Sequence, residues 1–99
     1  MKIILNIKIR KRAKRELKSI RKYISKNSIF YENKTVDDIM ERINTLKYFP
    51  EMGKQLQMNN YIFRQIIYKS YRIFYQIDSN NIYILSIFHH SRDISNLKL

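Results

Sequence analysis

The 99 residues of this chain suffice for one domain, because a chain of this size sits at or below the usual length for a single core. Hydrophobic residues make up 44% of the sequence and aromatic residues 13%, which excludes the aromatic-poor composition of a disordered chain. The 20 Lys and Arg residues outnumber the 8 Asp and Glu residues, and the formal charge is +12. We therefore expect a polyanionic or acidic partner.

Two absences narrow the class of protein further. Cysteine does not occur, which excludes disulfides, zinc-thiolate sites and thiol nucleophiles and is compatible with a reducing cytoplasm. No apolar run approaches the 18 or more residues of a membrane span, and Asn6 and Lys8 interrupt the apolar opening at residues 3–5. We expect a cytoplasmic protein with no membrane partner, no metal and no cofactor.

The first half of the chain is predicted to form a short strand and two helices. Residues 2–7 are apolar and β-branched enough for a strand. From Arg12 onward, apolar side chains recur at helical spacing, namely Ala13, Leu17, Ile20 and Ile24. Ser28 is a plausible N-cap for a second helix, whose apolar face contains Val36, Ile39, Met40, Ile43 and Leu46 and which Pro50 should end. Two helices so closely linked should pair antiparallel.

The second half is predicted to form an antiparallel meander. After a loop at residues 51–60, strands are expected at residues 61–68, 71–77 and 82–88, with tight turns at 69–70 and 78–81. The last strand is apolar on both faces and should lie centrally, while the first strand completes the sheet at an edge. The expected fold is therefore α+β, in the order β-α-α-β-β-β, with a helical hairpin packed on a small antiparallel sheet and one domain over residues 1–99.

Positive charge is concentrated at the start of the chain. The first 26 residues contain 11 Lys and Arg residues and a single acid, Glu16, while the remaining 73 residues have a net charge of only +2. The predicted first helix, which carries most of these cations, presents either a solvated face that keeps the protein soluble or a binding surface. The concentration of positive charge on one helix favours a binding surface. The sequence does not decide whether phosphates or an acidic protein bind it.

Conventional hydrolase sites do not fit the available residues. Asp37, Asp38 and Glu41 lie together on the second helix, without the spacing of a triad or a metal cluster. The adjacent His89 and His90 point to opposite faces of an extended chain and would not bind one metal. Ser91 is interpreted as a turn hydroxyl rather than a nucleophile.

RNA cleavage by the ribose 2′-hydroxyl is the one reaction that these residues permit. It needs a proton donor or acceptor near neutral pH and cations around the phosphorane. His89 or His90 would be the proton donor or acceptor, and the candidate cations are Arg64, Arg72 and Arg92. The alternative is that one histidine ends the last strand and the arginines face outward. Tyr71, Tyr75 and Tyr83 would either stack on bases or pack within the sheet.

Several segments together resemble the RelE/ParE superfamily of toxins. Those proteins show Tyr-Arg at the start of one strand, as at Tyr71-Arg72 here, and a Tyr three residues later, as at Tyr75. Their last strand ends in His followed by Arg and Asp, as at residues 90–93. The earlier segments at residues 13–17 and 46–53 fit as well, and the resemblance covers nearly the whole chain.

The resemblance implies a toxin of a type II toxin-antitoxin pair, neutralised by a cognate acidic antitoxin. ParE-like members act on DNA gyrase, whereas RelE-like members cut messenger RNA on the ribosome. The ending at residues 89–94 favours the ParE-like reading, with the nuclease as the alternative and a basic nucleic-acid-binding domain as the third. We expect target contacts at Arg72, His89 and Arg92, and antitoxin contacts at Leu17, Ile20, Arg21 and Ile24. The expected assembly is a homodimer or a hetero-oligomer with the antitoxin.

Overall fold

Two helices pack on one face of a five-stranded sheet. A computed structural model describes residues 4–25 and 29–89. Helix α1 is Lys11–Ser25 and helix α2 is Ile29–Thr45, and the two pack against each other. The strands are β1 (Asn6–Ile9), β2 (Lys54–Met58), β3 (Tyr61–Tyr68), β4 (Tyr71–Asp78) and β5 (Asn81–His89). The predicted α+β class with a helical pair on a sheet is confirmed. None of the helices in the described ranges is long and apolar enough to cross a membrane.

The strand order is β1-β5-β4-β3-β2, and the sheet is mixed. Strands β3, β4 and β5 form the predicted antiparallel meander, and β1 lies at an edge as expected. Strand β1 pairs parallel with β5, which departs from the wholly antiparallel sheet that was predicted. Strand β5 is interior, although β4 occupies the middle position.

Three details of the predicted elements were wrong. The predicted order β-α-α-β-β-β lacks strand β2, which lies within the segment that was expected to be a loop and pairs antiparallel with β3. Strand β1 is Asn6–Ile9; of the predicted range 2–7, residues 4 and 5 precede the strand, and residues 2 and 3 lie outside the described part of the chain. Helix α2 ends at Thr45, well before Pro50, because a tight turn follows it. In this turn the Leu46 N–H donates to the Ile43 carbonyl at 3.0 Å. The proposed N-cap Ser28 lies outside the described residues.

The main core lies between the helices and the sheet. The apolar positions predicted for both helices contribute to it, since Ala13, Val36, Ile39, Ile43 and Leu46 are all buried. They pack with buried residues of the sheet: Ile66, Tyr68, Ile73, Tyr75, Ile82, Ile84 and Ile87. A second, aromatic cluster on the sheet contains Phe63, Phe74 and Phe88, with the Phe63 and Phe74 ring centroids 4.8 Å apart. Alternation along the strands places this cluster on the opposite face from the helices.

An irregularity in β5 is held by the only acid of helix α1. Phe74 lies opposite Ser86 whereas Tyr75 lies opposite Ile84, so β5 contains one additional residue between them, as in a β-bulge. The Ile87 N–H and the Ser86 hydroxyl donate to the Glu16 carboxylate at 3.1 and 2.8 Å. Glu16 therefore satisfies donors at the bulge and joins α1 to β5.

Candidate functional site

His89 ends strand β5 and lies beside the start of β4. Its imidazole contacts the Tyr71 ring edge to face, with the ring centroids 5.7 Å apart. The two residues are direct partners in the sheet, and His89 is exposed while Tyr71 packs partly against the main core. The side chains of His89 and Tyr71 therefore project from the helix-bearing face of the sheet, at the end where β4 starts and β5 finishes. We call this end of the sheet the β4–β5 end.

Arg72 lies at the same end of the sheet but projects from the opposite face. It follows Tyr71 and precedes the core residue Ile73, so strand alternation turns its side chain toward the face of the aromatic cluster. Its sheet partners are Ile67 and Phe88. The side chain is half-buried, and its Nε is buried with no hydrogen-bond partner among the described residues. The Arg72 guanidinium is therefore not fully exposed, although the residue lies near the start of β4.

Arg64 has a structural role at the loop that precedes β2. Its guanidinium donates to the carbonyls of Gly53 at 2.7 Å and Glu51 at 3.2 Å. The Tyr75 hydroxyl reinforces the same loop, because it accepts the Gly53 N–H at 2.9 Å and donates to the Pro50 carbonyl at 2.7 Å. A Cβ on Gly53 would lie 2.4 Å from the Tyr75 hydroxyl, so this close approach requires glycine. The Arg64 guanidinium is therefore bound to the backbone of this loop.

The candidates for a ribonuclease site consequently do not converge within the described chain. Arg72 and His89 project from opposite faces of the sheet, and Arg64 is held by the loop around Gly53. His90, Ser91 and Arg92 lie outside the described residues. Over residues 4–25 and 29–89, no group of three or more His, Asp and Glu side chains is placed to hold a metal.

The tyrosines considered as base-stacking residues divide between the core and the surface. Tyr75 is 0% exposed and is a core residue. Burial raises the pKa of its phenol, although the Gly53 N–H that it accepts acts in the opposite direction. Tyr83 is half-buried, and the Arg10 guanidinium lies over its ring, 4.4 Å from the centroid. Tyr83 thus already has a cationic partner.

A polar cluster joins helix α2 to the turn between β3 and β4. The hydroxyl of the buried Tyr68 donates a hydrogen bond to the Asp38 carboxylate. That carboxylate also lies 3.6 Å from the Lys34 ammonium. This bond raises the pKa of Tyr68 to about 12 and lowers the pKa of Asp38. Arg42 and Lys69 lie over the Tyr68 ring, 5.7 and 5.5 Å from its centroid. The cluster orders the side chains around Tyr68.

Helix α1 presents its cations to solvent and its apolar side chains to the core. Of the residues predicted to contact an antitoxin, Arg21 is exposed, while Ile20 is only 9% exposed and Leu17 packs partly against the core. The side chain of Ile24 lies outside the described part of the chain. The surface that α1 offers is therefore cationic, and the apolar face is already used for folding.

Sequence reasoning missed two of the structural contacts above. The Glu16 bond to the bulge had one readable signal, since Glu16 is the only acid among 11 cations in the first 26 residues. The Tyr68–Asp38 bond joins residues 30 positions apart, and no local pattern indicates it.

Comparison with known proteins gives a family and a fold. The sequence matches the family model of the ParE toxin of type II toxin-antitoxin systems over residues 7–94. The chromosomal ParDE toxin-antitoxin system from P. aeruginosa is similar in structure, with a TM-score of 0.73 and 19% identity over 87% of this chain and 96% of that one. The RelBE2 toxin-antitoxin complex from Mycobacterium tuberculosis gives a TM-score of 0.68 and 20% identity over 88% of this chain and 99% of that one. No curated protein sequence matches.

Proposed function

Because this chain belongs to the ParE toxin family of type II toxin-antitoxin systems, we propose that it arrests growth by acting on DNA gyrase. A cognate acidic antitoxin neutralises it in this proposal. The family match extends over residues 7–94 and supports the ParE-like reading over the RelE-like one.

Among the described residues, the separation of the candidate catalytic groups is the observation that favours gyrase over RNA cleavage. General acid-base cleavage requires a proton-transferring group and a cation within reach of the same ribose-phosphate. Arg72 and His89 project from opposite faces of the sheet, and Arg64 is tied to the Gly53 carbonyl. A large protein target that encloses the β4–β5 end can contact both faces of the sheet, whereas a single scissile phosphate cannot.

Target contacts are accordingly assigned to Arg72 and His89, and to Arg92, which follows His89 closely in the sequence. Arg72 is only partly buried, so its guanidinium can donate to a carboxylate or carbonyl of the target. His89 is exposed beside Tyr71 and can be covered by the same partner.

The antitoxin is proposed from the charge of the chain and from its structural neighbours. Both neighbours are toxin-antitoxin complexes, and a net charge of +12 favours an acidic partner. Arg21 on α1 would add to the positive charge that steers the antitoxin at long range, without anchoring it. Apolar anchors supply most of the affinity in protein interfaces, and exposed candidates lie in the loop after α2, namely Tyr48, Phe49 and Met52.

Induced expression in a bacterium separates gyrase inhibition from ribosome-dependent cleavage. We expect growth arrest with double-strand DNA breaks, intact messenger RNA, and rescue by co-expressed antitoxin. The His89→Ala variant should lose toxicity only as far as it loses target binding. Cleavage of ribosome-bound messenger RNA that slows at least tenfold in His89→Ala would instead support the nuclease, because acid-base catalysis supplies about a hundredfold or more.

A further inference from the structure

Helix α1 carries a one-sided cationic surface that the growth-inhibiting site does not use. Its exposed cations are Lys11, Lys14, Arg15, Lys18, Arg21 and Lys22. At the 100° advance per residue of an α-helix, these six side chains fall within an arc of about 120°. The apolar residues Ala13 and Ile20 occupy the opposite side, which packs in the core. We call this arc the α1 cationic surface.

The charge of this surface is not neutralised by the helix itself. Helix α1 contains seven Lys and Arg residues and one acid, so it provides +6 of the formal +12. That acid, Glu16, turns inward to Ser86 and Ile87, and it lies 3.8 Å from Arg12 on the flank of the helix. The only negative group of α1 is therefore bound away from the exposed arc.

The composition of the α1 cationic surface favours phosphates over an acidic protein. Protein interfaces derive their affinity from aromatic and aliphatic anchors in a desolvated centre. Among residues 11–22, the exposed side chains are Lys, Arg and Ser19, with no apolar residue between them. A surface of this kind forms charge-assisted bonds and releases counterions, which is how proteins bind a phosphate backbone.

The same composition favours a duplex over single strands. Proteins that bind unpaired bases stack them on aromatic side chains, and residues 11–22 contain none. Lys11 and Lys22 lie about 16 Å apart along the helix axis. One strand of B-DNA presents about five phosphates over that length, which matches the six exposed cations.

We propose that the α1 cationic surface binds the phosphate backbone of duplex DNA, without base specificity. The choice of DNA over RNA rests on the proposed action on gyrase, an enzyme whose substrate is duplex DNA. Binding through α1 would place the toxin on DNA while the β4–β5 end contacts the protein target.

The test is a titration of the full-length chain into a fluorescein-labelled 20-base-pair DNA duplex, followed by anisotropy at several salt concentrations. We expect log affinity to fall with log salt with a slope of about −4, because four or five phosphates are neutralised. The Lys14→Glu/Lys18→Glu variant should bind roughly tenfold more weakly or worse at 0.1 M salt, with a slope shallower by about 2. The Lys8→Glu/Lys54→Glu variant carries the same charge change at exposed lysines of the sheet and should retain at least half of the affinity.

Four results would overturn the proposal. The first is an equal loss of DNA affinity in the two double variants, and the second is the absence of salt-dependent binding. The third is tighter binding to an RNA duplex of the same sequence, and the fourth is displacement of the DNA by poly-glutamate at equal charge concentration. If Lys14→Glu/Lys18→Glu fails to fold by circular dichroism, Lys14→Gln/Lys18→Gln replaces it, with an expected loss of about fivefold or more. No gyrase is present in this titration, so its outcome is independent of whether gyrase is the target.

Discussion

The proposed target contact Arg72 gains little folding stability through its Nε. Its Nε is buried without a partner among the described residues, and burying an unsatisfied donor costs free energy. Arg72→Met keeps much of the side-chain volume and removes that donor. We predict that the free energy of unfolding stays within about 1 kcal/mol of wild type, or rises, while toxicity falls.

Urea unfolding and growth assays of the Arg72→Met variant measure the two properties separately. The matched variant is Lys54→Met, which removes an exposed cation on edge strand β2 and should leave both properties unchanged. A large loss of stability in Arg72→Met, with toxicity retained, would show that Arg72 is a structural residue.

The bond between Tyr68 and Asp38 predicts a defined pH range of stabilisation. The pKa of Tyr68 is raised from 10.0 to about 12, so its contribution is complete below pH 10.0 and is lost as the pH rises through 12. The pKa of Asp38 is lowered from 3.8, so its contribution is present above pH 3.8 and is lost as the pH falls through the lower folded value.

Tyr68→Phe should therefore be less stable than wild type by a constant amount between pH 3.8 and pH 10.0. Toward either extreme of pH, the difference should shrink, and urea unfolding across a pH series measures it. Tyr61→Phe is the matched control, since Tyr61 is exposed. A difference that does not change with pH would show that the phenol and the carboxyl are not coupled.

At the scale of elements, Glu16 connects helix α1 to the bulge of β5. Glu16→Ala would leave the Ile87 N–H and the fully buried Ser86 hydroxyl without their acceptor. Each buried group left unpaired costs about 1–3 kcal/mol. We predict that Glu16→Ala destabilises by this order and that Glu16→Gln, which keeps one acceptor oxygen, lies between it and wild type.

Urea unfolding measures this effect, with Glu41→Ala as a control at an exposed acid of α2. That control should change stability by no more than about 0.5 kcal/mol. A Glu16→Ala variant as stable as wild type would contradict the role assigned to the carboxylate.

The elements with strong periodicity were predictable from sequence, and the others were not. Helices α1 and α2 and the meander follow from apolar spacing, whereas β2 contains Lys54, Gln55 and Gln57 and has little β-propensity. Its one signal is Asn59-Asn60, a two-residue turn in which Asn59 adopts a φ of 56°. The candidate site was harder to predict from sequence. The faces of the sheet from which Arg72 and His89 project depend on the register of β4 against β5, and only the folded sheet defines that register.

At the scale of the whole molecule, the charge of +12 should govern how fast an antitoxin arrives. Electrostatic steering raises association rates and is screened by salt, with a Debye length of about 10 Å at 0.1 M. We predict that the association rate falls steeply between low and moderate ionic strength, while the dissociation rate changes little. Stopped-flow mixing measures both rates, and a flat association rate would remove charge from the account of antitoxin binding.

Supercoiling of relaxed plasmid by purified DNA gyrase and ATP tests the central claim most directly. If the claim holds, the 99-residue toxin inhibits supercoiling and traps cleaved plasmid, antitoxin added beforehand prevents both effects, and Arg72→Met weakens both. Supercoiling at the uninhibited rate with a saturating amount of folded toxin, under conditions where the same preparation cuts ribosome-bound messenger RNA, would contradict it.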